Sequence, residues 1–249
     1  MDRALYLAMS GAKQDMYAMQ LRANNLANVS TTGFRADLEN ARSMQAYGEG
    51  LPTRVFSMTE RPSQNFEQGS VITTGRDMDV TIENQGWFAV LDASGNEAYT
   101  RAGDLKIDQT GLLHNGRGNL MVGESGGPIL LPIPISKIEI GTDGTISVLP
   151  QGAPAEAMEI VDRLKLVNPG NKNLYKDTDG LFKTKTPGQF VAADAGVSLL
   201  SGALEGSNVN AVGEMTHLID LQRHFETQVK LMKTAEQMDE SSASLLRLS

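Results

Sequence analysis

The sequence contains no cysteine, which excludes disulfides, thiolate zinc sites and a cysteine nucleophile together. Histidine is nearly as scarce, with three residues. His217 and His224 stand one heptad apart on a helical stretch, whereas a helical zinc site needs partners at i and i+4. Cations are outnumbered as well: 22 Lys and Arg face 30 Asp and Glu, for a net charge of -8. A nucleic-acid binder needs clustered basic residues for phosphate contacts, so that class is excluded, and an anionic membrane surface is disfavoured. Long apolar runs are missing too. The best, Ile129 to Ile135, is short and carries Pro132 and Pro134, far from the roughly 18 residues of a membrane span.

Catalytic signatures are equally absent. No phosphate-cradling glycine loop, nucleophile elbow or dinucleotide fingerprint occurs. Asp177-Thr178-Asp179-Gly180 resembles the opening of a calcium loop, but the third ligand before the glycine and the later Glu are not in place, so a turn is expected. No enzyme activity, metal or cofactor follows from the sequence. The first twenty or so residues lack the basic start, apolar block and small-residue cleavage site of a secretory signal, because Asp2, Lys13, Gln14 and Asp15 interrupt them.

What is present has three parts. Leu5, Met9, Ala12, Met16, Met19, Ala23 and Leu26 follow an unbroken 4,3 spacing, which predicts a helix with a coiled-coil seam. Asn24, Asn25 and Asn28, then Ser30-Thr31-Thr32-Gly33, compete with helical hydrogen bonds and predict its end. At the other terminus Met215, Leu218, Phe225, Val229 and Met232 share a stripe, widened by Ile219 and Leu221, with Asn208 or Asn210 as cap. Between them the period changes to two, with turn signals at Ser94-Gly95, Thr110-Gly111, Asn115-Gly116 and Asp143-Gly144. Strands are expected at 79–82, 87–91, 105–107, 137–140, 145–149, 163–167 and 188–191; 138–140 and 146–148 form the clearest hairpin.

The fold class expected is α+β: long terminal helices forming a coiled-coil-like helical domain, and a mostly β centre. The boundaries expected are 1–35 for the first helix and turn, 36–75 for an extended connection with a short hairpin, 76–200 for the β domain and 201–249 for the last helix. A lone amphipathic helix in water has no partner for its seam. Two paired ends still leave much of a Met-rich and Leu-rich surface open, and neighbouring copies are the natural cover. The plainer alternative packs both helices on the central sheet. A third makes the helices the stalk of an exported, oligomeric β-domain binding or adhesive module.

Some runs resemble a family. Ala8-Met9-Ser10-Gly11-Ala12, Ala23-Asn24-Asn25-Leu26-Ala27-Asn28 and Thr32-Gly33-Phe34-Arg35 look like the N-terminal signature of flagellar rod and hook proteins. Arg76-Asp77-Met78-Asp79-Val80, Gly86-Trp87-Phe88-Ala89-Val90 and Tyr99-Thr100-Arg101-Ala102-Gly103 resemble the entry to that family's β domain. Gly202 to Asn210, Glu214-Met215 and Gln222-Arg223-His224-Phe225-Glu226 complete the match, with His224 departing from the usual aromatic or aliphatic residue. The run Ser201 to Asn208 and Trp87 look like the proximal-rod members, while the distal-rod type is the alternative.

The resemblance implies a structural subunit of the flagellar basal-body rod. Its terminal helices would build a tube that transmits torque and passes exported subunits, with the β domains outside. It implies as partners other copies, other rod proteins and the flagellar export apparatus, and a periplasmic location reached without a cleaved signal. Interface residues expected on this reading are Leu5, Met9, Ala12, Met16, Met19, Ala23, Asn24, Asn25, Leu26, Asn28, Phe34, Arg35, Met215, Leu218, Phe225, Val229 and Met232. Several keep a local alternative: the asparagines as helix caps, Phe34 and Arg35 as intramolecular contacts, the methionines as plain core filling. Trp87 reads as a β-domain core anchor.

Overall fold

The computed structural model describes residues 2–45, 55–59, 63–154, 157–186 and 190–247. Two compact units are present: Met1–Val29, Ala36–Asn65 and Val209–Ser249 form the first, and Ser30–Arg35 with Phe66–Asn208 form the second. The class is α+β, with a long helix towards each terminus and a mostly β centre.

The first unit holds helix α1, Asp2–Ala27, and helix α2, Ala211–Arg247. Helix α1 draws on strong helix formers, Ala, Leu, Met and Gln, and contains no proline. It ends at the asparagines: the Asn28 amide donates to the carbonyls of Asn24 and Asn25, and its side-chain nitrogen donates to Asn24 O at 2.9 Å. Helix α2 starts at Asn210, whose Oδ1 accepts the Gly213 amide at 3.1 Å, and Glu214 in the first turn suits the helix dipole. Its 37 residues span about 55 Å at 1.5 Å per residue. Two short antiparallel ladders complete this unit, Asp37–Leu38 with Ser63–Gln64 and Ala41–Gln45 with Val55–Thr59. Gly48, Gly50, Pro52 and Pro62, which suggested a loosely patterned connection, lie outside the described residues.

In the second unit a five-stranded antiparallel sheet runs Leu166–Val167, Trp87–Leu91, Glu97–Thr100, Phe182–Thr184, Leu174–Lys176. The run Trp87-Phe88-Ala89-Val90 is apolar without alternation because both faces of the sheet are covered. Phe88 and Val90 enter one core with Val80, Ile82, Ile138 and Val148. Trp87 and Ala89 enter the other with Tyr99, Val122, Val167 and Phe182. Trp87 is 2% exposed, and its ring lies 4.5 Å from that of Phe182. The hairpin expected from the isoleucines forms with Ile138 opposite Val148 and Ile140 opposite Ile146.

Two expectations about strands need correction. The strand over 163–167 is split, Glu159–Arg163 joining the hairpin sheet and Leu166–Val167 the five-stranded one. Of 188–191, residues 188 and 189 lie outside the described residues, and Phe190 and Val191 carry no strand. Residues 201–210, grouped above with the last helix, contain instead Ala203–Glu205, a strand paired with Val71–Thr73.

Candidate assembly surface

Helices α1 and α2 run antiparallel, as two widely separated contacts show. Arg22 Nη1 lies 3.2 Å from Glu214 Oε1, and a Cβ on Gly11 would sit 3.2 Å from the Gln228 side chain. On α1 the positions turned inward are small or polar: Ala8, Ala12 and Ala18 are buried, Gly11 and Asp15 half-buried, and Asn25 fully buried. Ala8, Gly11, Asp15, Ala18, Arg22 and Asn25 keep a 3,4 spacing of their own. The apolar stripe read from the sequence is that series shifted by one residue, roughly 100° around the helix. On α2 the inner series is Glu214, Leu218, Leu221, Phe225, Gln228, Met232 and Ala235, buried or half-buried throughout.

The pairing is tied at one end by polar groups. Asn25 Nδ2 donates to Asp37 O at 2.9 Å and to Glu214 Oε1 at 3.4 Å, while Oδ1 accepts the Asp37 amide at 2.9 Å. One asparagine thus joins the end of α1, the strand after it and the start of α2. Further along the seam Asp15 places Oδ2 out of solvent without a hydrogen-bond partner. Burial pushes its carboxyl up, and the nearby His224 draws it partly back.

The expected interface residues separate into three groups. Leu5 at 39%, Met9 at 51%, Met16 at 57% and Met215 at 51% are exposed, as are Ala23 and Asn24. Met19, Leu26, Asn28, Leu218, Phe225, Val229 and Met232 are half-buried, and Ala12 is buried. Asn25, Phe34 and Arg35 are used within the chain: Asn25 as above, Arg35 by an ion pair with Glu205 at 2.5 Å, and Phe34 beneath Lys176 Nζ at 3.9 Å from its ring centre. The contacts of Phe34 and Arg35 lie within the chain, and the Asn25 side chain bonds to Asp37 and Glu214 rather than capping its own helix.

Other exposed apolar side chains on the same helices were not expected from the sequence: Tyr6, Tyr17, Val212 and Leu231. They lie beside the stripe rather than on it. A strict 4,3 count passes over them, whereas a broader apolar arc would include them. Among the described residues no group of His, Asp and Glu is arranged to hold a metal, and no helix is long and apolar enough to cross a membrane. What the first unit offers is therefore a paired-helix surface with methionine, tyrosine and aliphatic groups turned outward.

Three family models match along the chain. Residues 5–35 match "Flagella basal body rod protein", residues 81–148 match "Flagellar hook protein FlgE/F/G D1 domain", and residues 200–245 match "Flagellar basal body rod FlgEFG protein C-terminal". The flagellar basal-body rod protein FlgF of Escherichia coli K12 is 39% identical over the whole of both chains. That of Caulobacter vibrioides is 34% identical, over 99% of this chain and 98% of its own. The flagellar basal-body rod protein FlgG of Bacillus subtilis is 28% identical over 99% of this chain and 100% of its own.

Proposed function

This chain belongs to the flagellar basal-body rod family and is a structural subunit of the rod, and from that premise we propose that it polymerises through its terminal helices at the proximal end of the rod. The observation that supports this reading is the outward stripe. Leu5, Met9, Met16 and Met215 are 39–57% exposed although the two helices are already paired. Covering a large apolar side chain fully is worth about 1.5–3 kcal/mol, so several half-exposed ones on each copy give neighbouring helices a substantial reason to associate. Methionine side chains adapt to non-identical partners, which suits a junction between different rod proteins. Met19, Ala23, Leu26 and Val229 border the same surface, while Leu218, Phe225 and Met232 belong to the inner series of α2.

On this reading the subunit acts mechanically and catalyses nothing. Its partners are further copies, other rod proteins and, in transit, the flagellar export apparatus. It works in the periplasm as part of a torque-bearing tube that conducts later subunits. Deleting Met1 to Asn28 is expected to leave a folded β unit that no longer enters basal bodies, scored by immunoblot of purified basal bodies and by swimming. A strain carrying that deletion and swimming normally refutes the proposal.

A further inference from the structure

The second unit contains a buried charge cluster. The Glu205 side chain has no exposure, and Arg35 and Arg101 approach it with 1% and 6%. Arg35 Nη1 lies 2.5 Å from Oε1 and Arg101 Nη1 3.1 Å from Oε2. The Gly69 amide also donates to Oε1 at 3.1 Å. Arg101 reaches on to Ile82 O at 3.4 Å and Asn84 O at 2.8 Å, and its guanidinium stands 5.5 Å from the Trp87 ring centre. Burial draws both guanidiniums below their ordinary range, Arg101 to about 10, against the pull of Glu205 in the other direction.

Backbone crowds around the same point. The Gly33 amide donates to Glu205 O at 2.8 Å and the Asn208 amide to Phe34 O at 3.3 Å. Gly33 has φ +64, and a Cβ there would meet the Arg101 carbonyl carbon at 2.3 Å, so only glycine fits. A Cβ on Gly69 would meet Gly206 O at 2.1 Å. Residues 30–35 are the stretch just after α1 in sequence, and residues 203–208 the stretch just before α2. Both are held side by side inside the second unit.

Two cations on one carboxylate are a poor way to gain stability, because desolvation offsets most of the attraction and an apolar cluster of equal size serves as well. Such a cluster does fix register, since each side chain has only one place to go. We propose that Arg35, Glu205 and Arg101 are positioning residues, a buried pin that fixes the register of residues 30–35 against residues 203–208 inside the second unit.

Arg35→Met in the full-length chain is the test, because it leaves a single, formally neutral Arg101–Glu205 pair. The Trp87 emission and thermal transition are expected to stay close to those of the parent. The Gly33 and Asn208 amides are expected to exchange at least tenfold faster, with Arg35→Lys recovering part of the protection. Unchanged protection at both amides overturns the pin, as does faster exchange spread evenly over the second unit with a matching fall in the Trp87 transition.

Discussion

Lys183 is shared by three carboxylates, Asp92 at 2.9 Å, Asp177 at 2.8 Å and Asp179 at 3.6 Å. Its hydrogen bond, outweighing the effect of burial and helped by the Asn96 and Ser94 amides, holds the nearly inaccessible Asp92 carboxyl at about 2. A carboxyl depressed in the folded state stabilises above its unfolded value, and that stability disappears as pH falls towards the folded value. Parental chain should therefore keep this contribution down to about pH 4 and lose it on the way to about 2. Lys183→Met should lift the Asp92 pKa, cost about 1–3 kcal/mol at neutral pH and move the acid midpoint of Trp87 emission upward; an unmoved midpoint means the pairs are idle. Asn25 gives a second case. Its replacement by Ala strips partners from Asp37 and Glu214 inside the helical unit, and should cost about 2 kcal/mol or more in the far-ultraviolet dichroism melt. Asn24→Ala, at an exposed side chain, should change the same melt by less than about 0.5 kcal/mol. In the sequence Asn24, Asn25 and Asn28 look alike. Asn25 is set apart by partners further along the chain, Asp37 and Glu214, and that information is not local.

Both helices announce themselves by period, and α1 in fact carries two adjacent series at heptad spacing. Which one turns inward was not legible from hydrophobicity, because the inner one is the less apolar: Ala8, Gly11, Asp15, Ala18, Arg22 and Asn25. Small side chains let two backbones approach closely, so shape decides what apolar content does not. The strands show the same limit. The isoleucine hairpin has enough alternation to read, whereas pairs such as Ala203–Glu205 with Val71–Thr73, three residues each, are too short to display any period. The two helical series predict opposite mutant behaviour. Met9→Gln with Met16→Gln changes only outward groups, and should leave the helical melt of the purified chain within about 0.5 kcal/mol while blocking incorporation into basal bodies. Ala18→Leu forces a large group into a site 2% exposed, and should lower the melt by about 1–3 kcal/mol. If the methionine pair instead destabilised the isolated chain and left incorporation normal, the outward stripe would not be an assembly surface.

At the scale of the whole molecule, the division of the chain is set by non-local contacts rather than by where a helix stops. The signature Thr32-Gly33-Phe34-Arg35 reads naturally as the tail of the first helix, and a cut after residue 35 is what the sequence suggests. The structure groups Ser30–Arg35 with the β unit, because Gly33 and Arg35 meet Glu205 there and Lys176 donates to Arg35 O at 3.0 Å. Two truncations separate these descriptions. A chain of residues 30–208 keeps both arginines on Glu205 and should unfold cooperatively, with the Trp87 environment of the full-length protein. A chain of residues 36–208 removes Arg35 and the Gly33 and Phe34 backbone bonds. Only Arg101 is then left on Glu205, and the Asn208 amide loses its acceptor, Phe34 O. The shorter chain should lose about 1 kcal/mol for each backbone hydrogen bond removed, read as a lower denaturant midpoint of Trp87 emission. Equal midpoints for the two chains would place the boundary after Arg35 and make residues 30–35 an appendage of the helix.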